Sequence, residues 1–243
     1  MCRVKLMLLS VVCVSAIVAG LAPTASAKIS FEWLVGESSL ATGEERTFDF
    51  TGDSKTFDLS ETFPGGGKIL LLSSKLSVEH GLIFGGRPGT DEETIVFENV
   101  TVDQPGGCVV ESLPNPTVGT VRTRLLKSEI VEGNNGEALI LFAPKTEGEA
   151  FISLLFINKP PNGACSLNEA SGFDVTGDLL GLPLPRGVEV LRQNLVFPAV
   201  TNEFFLAAGG GVEKAGLGLA GSPFIFKGLT LFLLTSDAVF GPF

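Results

Sequence analysis

Beyond its first 27 residues the sequence predicts an all-β fold: an antiparallel β-sandwich, with a barrel-like closed sheet as the alternative and little helix outside the leader. Three observations lead there. Apolar residues recur with a period of two, as at Ile29, Phe31, Trp33 and Val35, so a short run has one apolar face. The 30 glycines and 14 prolines place turn formers at short intervals, without the strict glycine period of collagen. No stretch longer than about ten residues carries apolar positions at helical spacing between proper caps.

The first strand is expected over 29–35. Runs over 47–50, 55–59, 68–73, 76–84, 94–102, 108–113 and 118–126 follow, each bounded by Gly, Pro, Asn or Asp. Asn134-Asn135-Gly136 then separates Ile130-Val131 from a run over 137–143. It predicts a type I′ hairpin turn, because Asn-Gly tolerates the positive φ such a turn needs. Further strands are expected over 150–158, 173–182, 188–197, 204–208 and 224–234. Pro160-Pro161-Asn162-Gly163 is the strongest break and Gly209-Gly210-Gly211 the most flexible. Leu70-Leu71-Leu72 and the runs over 139–142 and 154–157 are apolar at successive positions, so they are expected to be covered on both sides. Glu98 and Glu189 are expected to face outward. Residues 28–243 suit a single β-rich domain, with 160 as the candidate subdivision.

Residues 1–27 read as a signal peptide. Arg3 and Lys5 precede an apolar run from Leu6 to Leu21, and Ala25-Ser26-Ala27 is a small-residue cleavage site. A retained membrane anchor is the competing reading; Pro23 and the cleavage tripeptide favour removal. Cleavage takes away two of 17 basic residues and none of 27 acidic ones, so the net charge falls from −10 to −12. Such a surface does not suit nucleic acid, whose phosphates call for a Lys/Arg surplus. Cys2 and Cys13 leave with the leader. Cys108 and Cys165 remain, and in an oxidising compartment they read first as a disulfide, with two separate buried thiols as the alternative. Two cysteines and one histidine are too few for a metal centre.

Four segments taken together resemble a group of uncharacterised secreted bacterial proteins. They are Gly85-Gly86-Arg87-Pro88-Gly89-Thr90, the strand over 94–102, Gly107-Cys108-Val109-Val110, and Leu125-Leu126-Lys127-Ser128-Glu129-Ile130-Val131-Glu132. In that group a signal peptide precedes a tryptophan-bearing strand, a GGxPGT-like turn, a cysteine before a short strand and an LxSELVE-like segment. The resemblance covers roughly residues 31–170. It implies secretion and β structure and no activity. Members commonly carry a further cysteine before the GGxPGT turn, and here the run over 76–83 has none.

Catalytic chemistry is sparsely provided for. His80 is the only histidine; no G-x-S-x-G elbow is present, and the nearest approach, Gly221-Ser222-Pro223, places a proline where the elbow must turn. Paired carboxylates can serve a glycosidase, and Asp91-Glu92-Glu93, Asp49, Asp53, Asp58, Glu61, Asp174 and Asp178 are the candidates, although acids are abundant enough that solvated turns account for most of them. Gly65-Gly66-Gly67-Lys68 lacks the Ser/Thr and the helix of a phosphate loop. Trp33 reads as core rather than as a sugar platform. An outer-membrane barrel is disfavoured by Pro242 in the last strand and by the lack of tyrosine.

The expected function is therefore that of a secreted, non-enzymatic β domain of the cell envelope or extracellular space, with a binding or structural role. The alternative is a carboxylate-dependent extracellular hydrolase acting on a polymer such as a glycan. No catalytic residue, cofactor or metal ligand is assigned. The partner is expected to lie in the envelope or outside the cell, with no membrane span after cleavage and with self-association through edges such as 224–234.

Overall fold

A computed structural model describes residues 31–51, 57–64, 66–168, 172–198, 203–206 and 212–243. The leader, Asp53 and Gly209-Gly210-Gly211 lie outside the described residues. Twenty strands and no helix form among the described residues. In chain order they begin with β1 (Trp33–Val35), β2 (Glu45–Thr51), β3 (Phe57–Thr62), β4 (Lys68–Ser73) and β5 (Lys75–Phe84). Next come β6 (Thr90–Glu98), β7 (Thr101–Gln104), β8 (Cys108–Leu113), β9 (Val121–Arg122) and β10 (Leu126–Gly133). The third group is β11 (Ala138–Pro144), β12 (Ile152–Asn158), β13 (Phe173–Gly177), β14 (Leu179–Leu184) and β15 (Gln193–Phe197). The chain ends with β16 (Glu203–Leu206), β17 (Val212–Ala215), β18 (Leu217–Leu219), β19 (Ser222–Leu234) and β20 (Phe240–Pro242).

Eight of these strands close into a barrel. Each is antiparallel to the next in the cycle β2-β5-β6-β10-β11-β14-β15-β19, and β19 returns to β2 through pairs such as Phe232↔Phe50. The alternative expected from the sequence, a closed sheet, is thus the arrangement adopted, and closure satisfies backbone groups that an open sandwich leaves at its edges. A second sheet runs β7-β4-β3-β19-β18-β13-β12-β8. Strand β19 belongs to both: its first half, through Lys227, pairs with β3 and β18, and its second half, from Gly228, with β15 and β2. It is a central strand hydrogen-bonded on both sides, so the expectation that 224–234 offers an edge for self-association is corrected.

Alternation explains the core. Asp91, Glu93, Ile95 and Phe97 of β6 are buried on one face, while Thr90, Glu92 and Thr94 are half-buried on the other. Phenylalanines fill the interior: Phe142 of β11 lies 5.7 Å from Phe197 of β15, Phe197 lies 4.6 Å from Phe226 of β19, and Phe226 lies 5.4 Å from Phe97 of β6. Strands β6 and β19 are not neighbours in the cycle, so that last contact crosses the interior. Outward positions carry charges, including the pairs Lys75–Glu98 and Lys145–Glu92 at 2.8 Å each. The apolar triplet of β4 is wetter than expected: Leu71 is fully buried, but Leu70 and Leu72 are half-buried on the outer face of the second sheet.

One barrel end is capped by both ends of the described chain. Strands β1 and β20 pair as a two-stranded ribbon, Trp33 opposite Pro242 and Val35 opposite Phe240. The ribbon drives Trp33 and Phe240 onto Phe232, at 5.6 Å and 4.8 Å between ring centroids, and both side chains are completely buried. Edge-to-face contacts of this kind add about 0.5–1.5 kcal/mol beyond the area they bury.

The hairpin expected at 134–136 joins β10 to β11, but its turn differs. Gly133 donates to Glu137 O at 2.7 Å, which leaves a three-residue loop, and of the three only Gly136 has positive φ, at 77°. A type I′ turn needs two such residues in a two-residue loop; here a single glycine in the left-handed region closes the longer one. Cys108 at the start of β8 forms a disulfide with Cys165 in the loop after β12, a separation of 57 residues. That loop folds back on the Gly106-Gly107 turn, where Lys159 donates to Gly107 O at 2.9 Å.

Candidate functional site

Of the acids marked in the sequence, Asp91 and Glu93 are the two that the fold brings together inside the barrel. They are two residues apart on β6, so both side chains face inward, and only 2% and 0% of each residue is exposed. Glu92, between them, faces outward to Lys145. Ser128 of β10 lies opposite Asp91 in register and donates its hydroxyl to Glu93 Oε1 at 2.9 Å. No ion pair reaches either acid among the described residues.

Burial without a cation decides the protonation state. It pushes the Asp91 carboxyl up to about 7, with hydrogen bonds accepted from Ser128 and Glu93 pulling the other way. Glu93 is pushed well above the usual carboxylate range, first by burial and then by the negative charge of Asp91 beside it. As two carboxylates, Asp91 Oδ1 and Glu93 Oε2 meet no donor. A proton held between them turns one acceptor into a donor, which is how two acids tolerate a common dry site.

Two more polar side chains share the interior. Gln193 of β15 donates Nε2 to Pro185 O at 2.9 Å, and its Oε1 is buried without a partner. Thr230 of β19 lies opposite Leu195 in register, with its hydroxyl buried and unpartnered. Asp91, Glu93, Ser128, Gln193 and Thr230 are thus inward polar residues in an otherwise phenylalanine-rich barrel, with Ser128 in register with both Asp91 and Phe142.

Two of the segments that resemble the secreted group, the turn over 85–90 and the run over 125–132, meet at the capped end. Gly89 donates to Phe31 O at 2.9 Å and accepts from Ile130 N at 2.9 Å, so the turn before β6 ties the start of the described chain to β10. Trp33 Nε1 donates to Thr90 O at 3.1 Å. A Cβ on Gly89 would lie 2.8 Å from both Ile130 Cδ1 and Trp33 Cδ1, so only glycine lets the three segments close up. Arg87 in the same turn binds Glu32 through two hydrogen bonds, the longer at 3.0 Å, and so fixes the ribbon from outside.

The remaining candidates are dispersed. His80 sits exposed at a bulge of β5 with φ of 60°, opposite Glu93 but turned to solvent. Gly66 and Gly67 form the turn between β3 and β4. Asp49 accepts from Val78 N at 3.3 Å, Asp58 lies opposite Lys227, and Asp174 accepts from Ser153 at 2.7 Å. Glu61 is buried beside Ser222, and burial raises its carboxyl above the usual range. Asp178, at the corner between β13 and β14, is raised by burial and then by Glu213. It borders an open surface groove of about 550 Å³ together with Lys145, Glu147, Glu149 and Thr176. Two of these charges are already engaged, Lys145 by Glu92 and Glu149 by Arg124 at 3.7 Å.

Sequence reasoning did not single out Ser128, Gln193 or Thr230. Part of the signal was present: Asp91 and Glu93 stand in phase with Ile95 and Phe97, so a strand begun at Thr90 rather than at 94 assigns both acids to the apolar face. Gln193 and Thr230 carry no such signal, because their inward direction depends on the register around the closed ring. Compared with known proteins, the chain matches no family model, no curated protein and no solved structure.

Proposed function

We propose that this chain is an exported barrel domain of the cell envelope or extracellular space that acts by binding or as a structural element. The observation that carries the reading is the sealing of the Asp91–Glu93 pair: the two acids that converge lie behind the Trp33–Phe240 cap, where no polymer reaches them. Export is supported by the leader-like residues 1–27, by the Cys108–Cys165 disulfide and by the resemblance to secreted bacterial proteins. The partner expected is an envelope or extracellular component rather than nucleic acid, given the acidic surface. Expression of the full chain in a bacterial host tests the reading. The expected product is found outside the cytoplasm, begins at Lys28, and has a mass before reduction that accounts for one disulfide. An unprocessed cytoplasmic chain with free thiols is the opposing result.

The groove at Asp178 favours a second reading, an extracellular carboxylate-dependent hydrolase, because burial and Glu213 raise the Asp178 carboxyl in the direction a general acid needs, and Glu149 lines the same groove. Incubation of the exported protein with cell-wall polymer separates the two. A binding or structural domain releases no soluble fragments. Release that is abolished by Asp178→Asn establishes the hydrolase instead.

A further inference from the structure

The buried acids and the cap are coupled through a few residues of the β5–β6 turn and the start of β6. Thr90, whose carbonyl holds Trp33 Nε1, directly precedes Asp91, and Gly89 backs both Trp33 and Ile130. Ser128, which donates to Glu93, is two residues from Ile130 on the inward face of β10. Charge placed on the acids therefore acts on the same strand segments that seat the cap.

Among the described residues no cation stands ready to take up such a charge. From β10 the pair meets Ser128, while Lys127 and Glu129 occupy the outer face. On β5 the inward neighbour of Asp91 is Ile83, and His80 and Glu79 at the bulge are exposed. Glu92 on the pair's own strand faces out to Lys145. Arg46 of β2, in register with Ile83, turns its guanidinium to the Glu45 carbonyl and to Glu44. From β15 and β19 the interior receives only the neutral Gln193 and Thr230.

We propose that the β1–β20 ribbon is a pH-gated cap: the protonated Asp91–Glu93 pair lets the barrel end close over Trp33, and loss of its last proton as pH rises releases the ribbon. An acid whose proton is held more tightly in the folded state stabilises that state while protonated. The stabilisation is complete below the ordinary carboxylate range and is lost as pH rises through the folded-state value. For Asp91 that window runs from the ordinary range to about 7, and for Glu93 it extends higher. The cap yields before the barrel because the ribbon is joined to the rest only by isolated contacts, the Phe240–Val190 bridge and the Gly89–Phe31 hydrogen bond among them, whereas every ring strand is laddered on both sides.

Trp33 is the only tryptophan and the chain has no tyrosine, so its emission reports the cap directly. The disulfide-intact exported chain is titrated from about pH 5 to about pH 9 while tryptophan emission and the far-ultraviolet strand signal are recorded. The expected result is a reversible red shift on the alkaline side with the strand signal retained. In Glu93→Gln, which keeps the acceptor for Ser128 and supplies a donor to Asp91, the shift is expected to vanish. Ser128→Ala provides a second check that leaves both acids in place. It removes a hydrogen bond that favours the ionised forms, so the midpoint is expected to move to higher pH. Constant emission to the alkaline limit overturns the proposal, as does a shift that persists unchanged in both variants. A shift accompanied by loss of the strand signal also overturns it, because the whole barrel is then yielding rather than its cap.

Discussion

Gly89 shows how far one missing methyl group reaches. Its backbone joins Phe31 to Ile130, and the space a Cβ would take is already held by Ile130 and Trp33. Gly89→Ala is therefore expected to destabilise the fold by about 1–3 kcal/mol, the usual penalty for forcing extra volume into a packed site. Urea denaturation followed by strand-specific circular dichroism measures it, and a change within about 0.5 kcal/mol would show that the cap shifts freely to make room. Phe240 tests the same contact from the other terminus. It is fully buried against Phe232, and Phe240→Ala is expected to lower stability by about 3–5 kcal/mol. A red-shifted Trp33 emission at acidic pH should accompany that loss, since the ring that wedges the indole in place is gone.

At the scale of elements, most of the strands were legible. Strand β4 matches the run over 68–73, β8 the run over 108–113, and β19 contains 224–234, because the local alternation between turn formers is enough to mark a strand. Reading failed where direction depends on a partner. The hairpin at 134–136 was visible in Asn-Gly, but its loop length is set by the pairing of Gly133 with Glu137, which no dipeptide encodes. Leu70 and Leu72 looked fully dry and are half-exposed, because the described residues put no layer over the outer face of the second sheet there. The disulfide acts between elements, fastening the loop after β12 to the start of β8. Replacing both Cys108 and Cys165 by serine removes a cross-link across 57 residues and is expected to lower stability by about 4 kcal/mol. An unchanged urea midpoint would mean that the hydrogen bond from Lys159 to Gly107 and its neighbours hold the loop unaided.

For the whole molecule, closure has consequences that no single strand carries. An open sheet would leave Asp91 and Glu93 near water and in the ordinary carboxylate range. The closed ring, stopped by Trp33 and Phe240, takes water away and leaves a shared proton as the economical arrangement. Global stability is accordingly expected to fall from acidic to mildly alkaline pH, a trend that Glu93→Gln should flatten. Chemical denaturation at a series of pH values reads this directly, and a stability that rises over the same interval would contradict the buried pair.

By itself the sequence determined the β class, the places of most strands, the cysteine pair that forms the disulfide and the core role of Trp33. These follow from alternation, turn chemistry and composition, which are local properties. Only the tertiary structure decided that the sheet closes, that β19 is shared by two sheets rather than left as an edge, and that two acids among many are sealed with Ser128. Those outcomes rest on strand register and on contacts between residues far apart in the chain, and a period of two states which side chains alternate but not which neighbour each will meet.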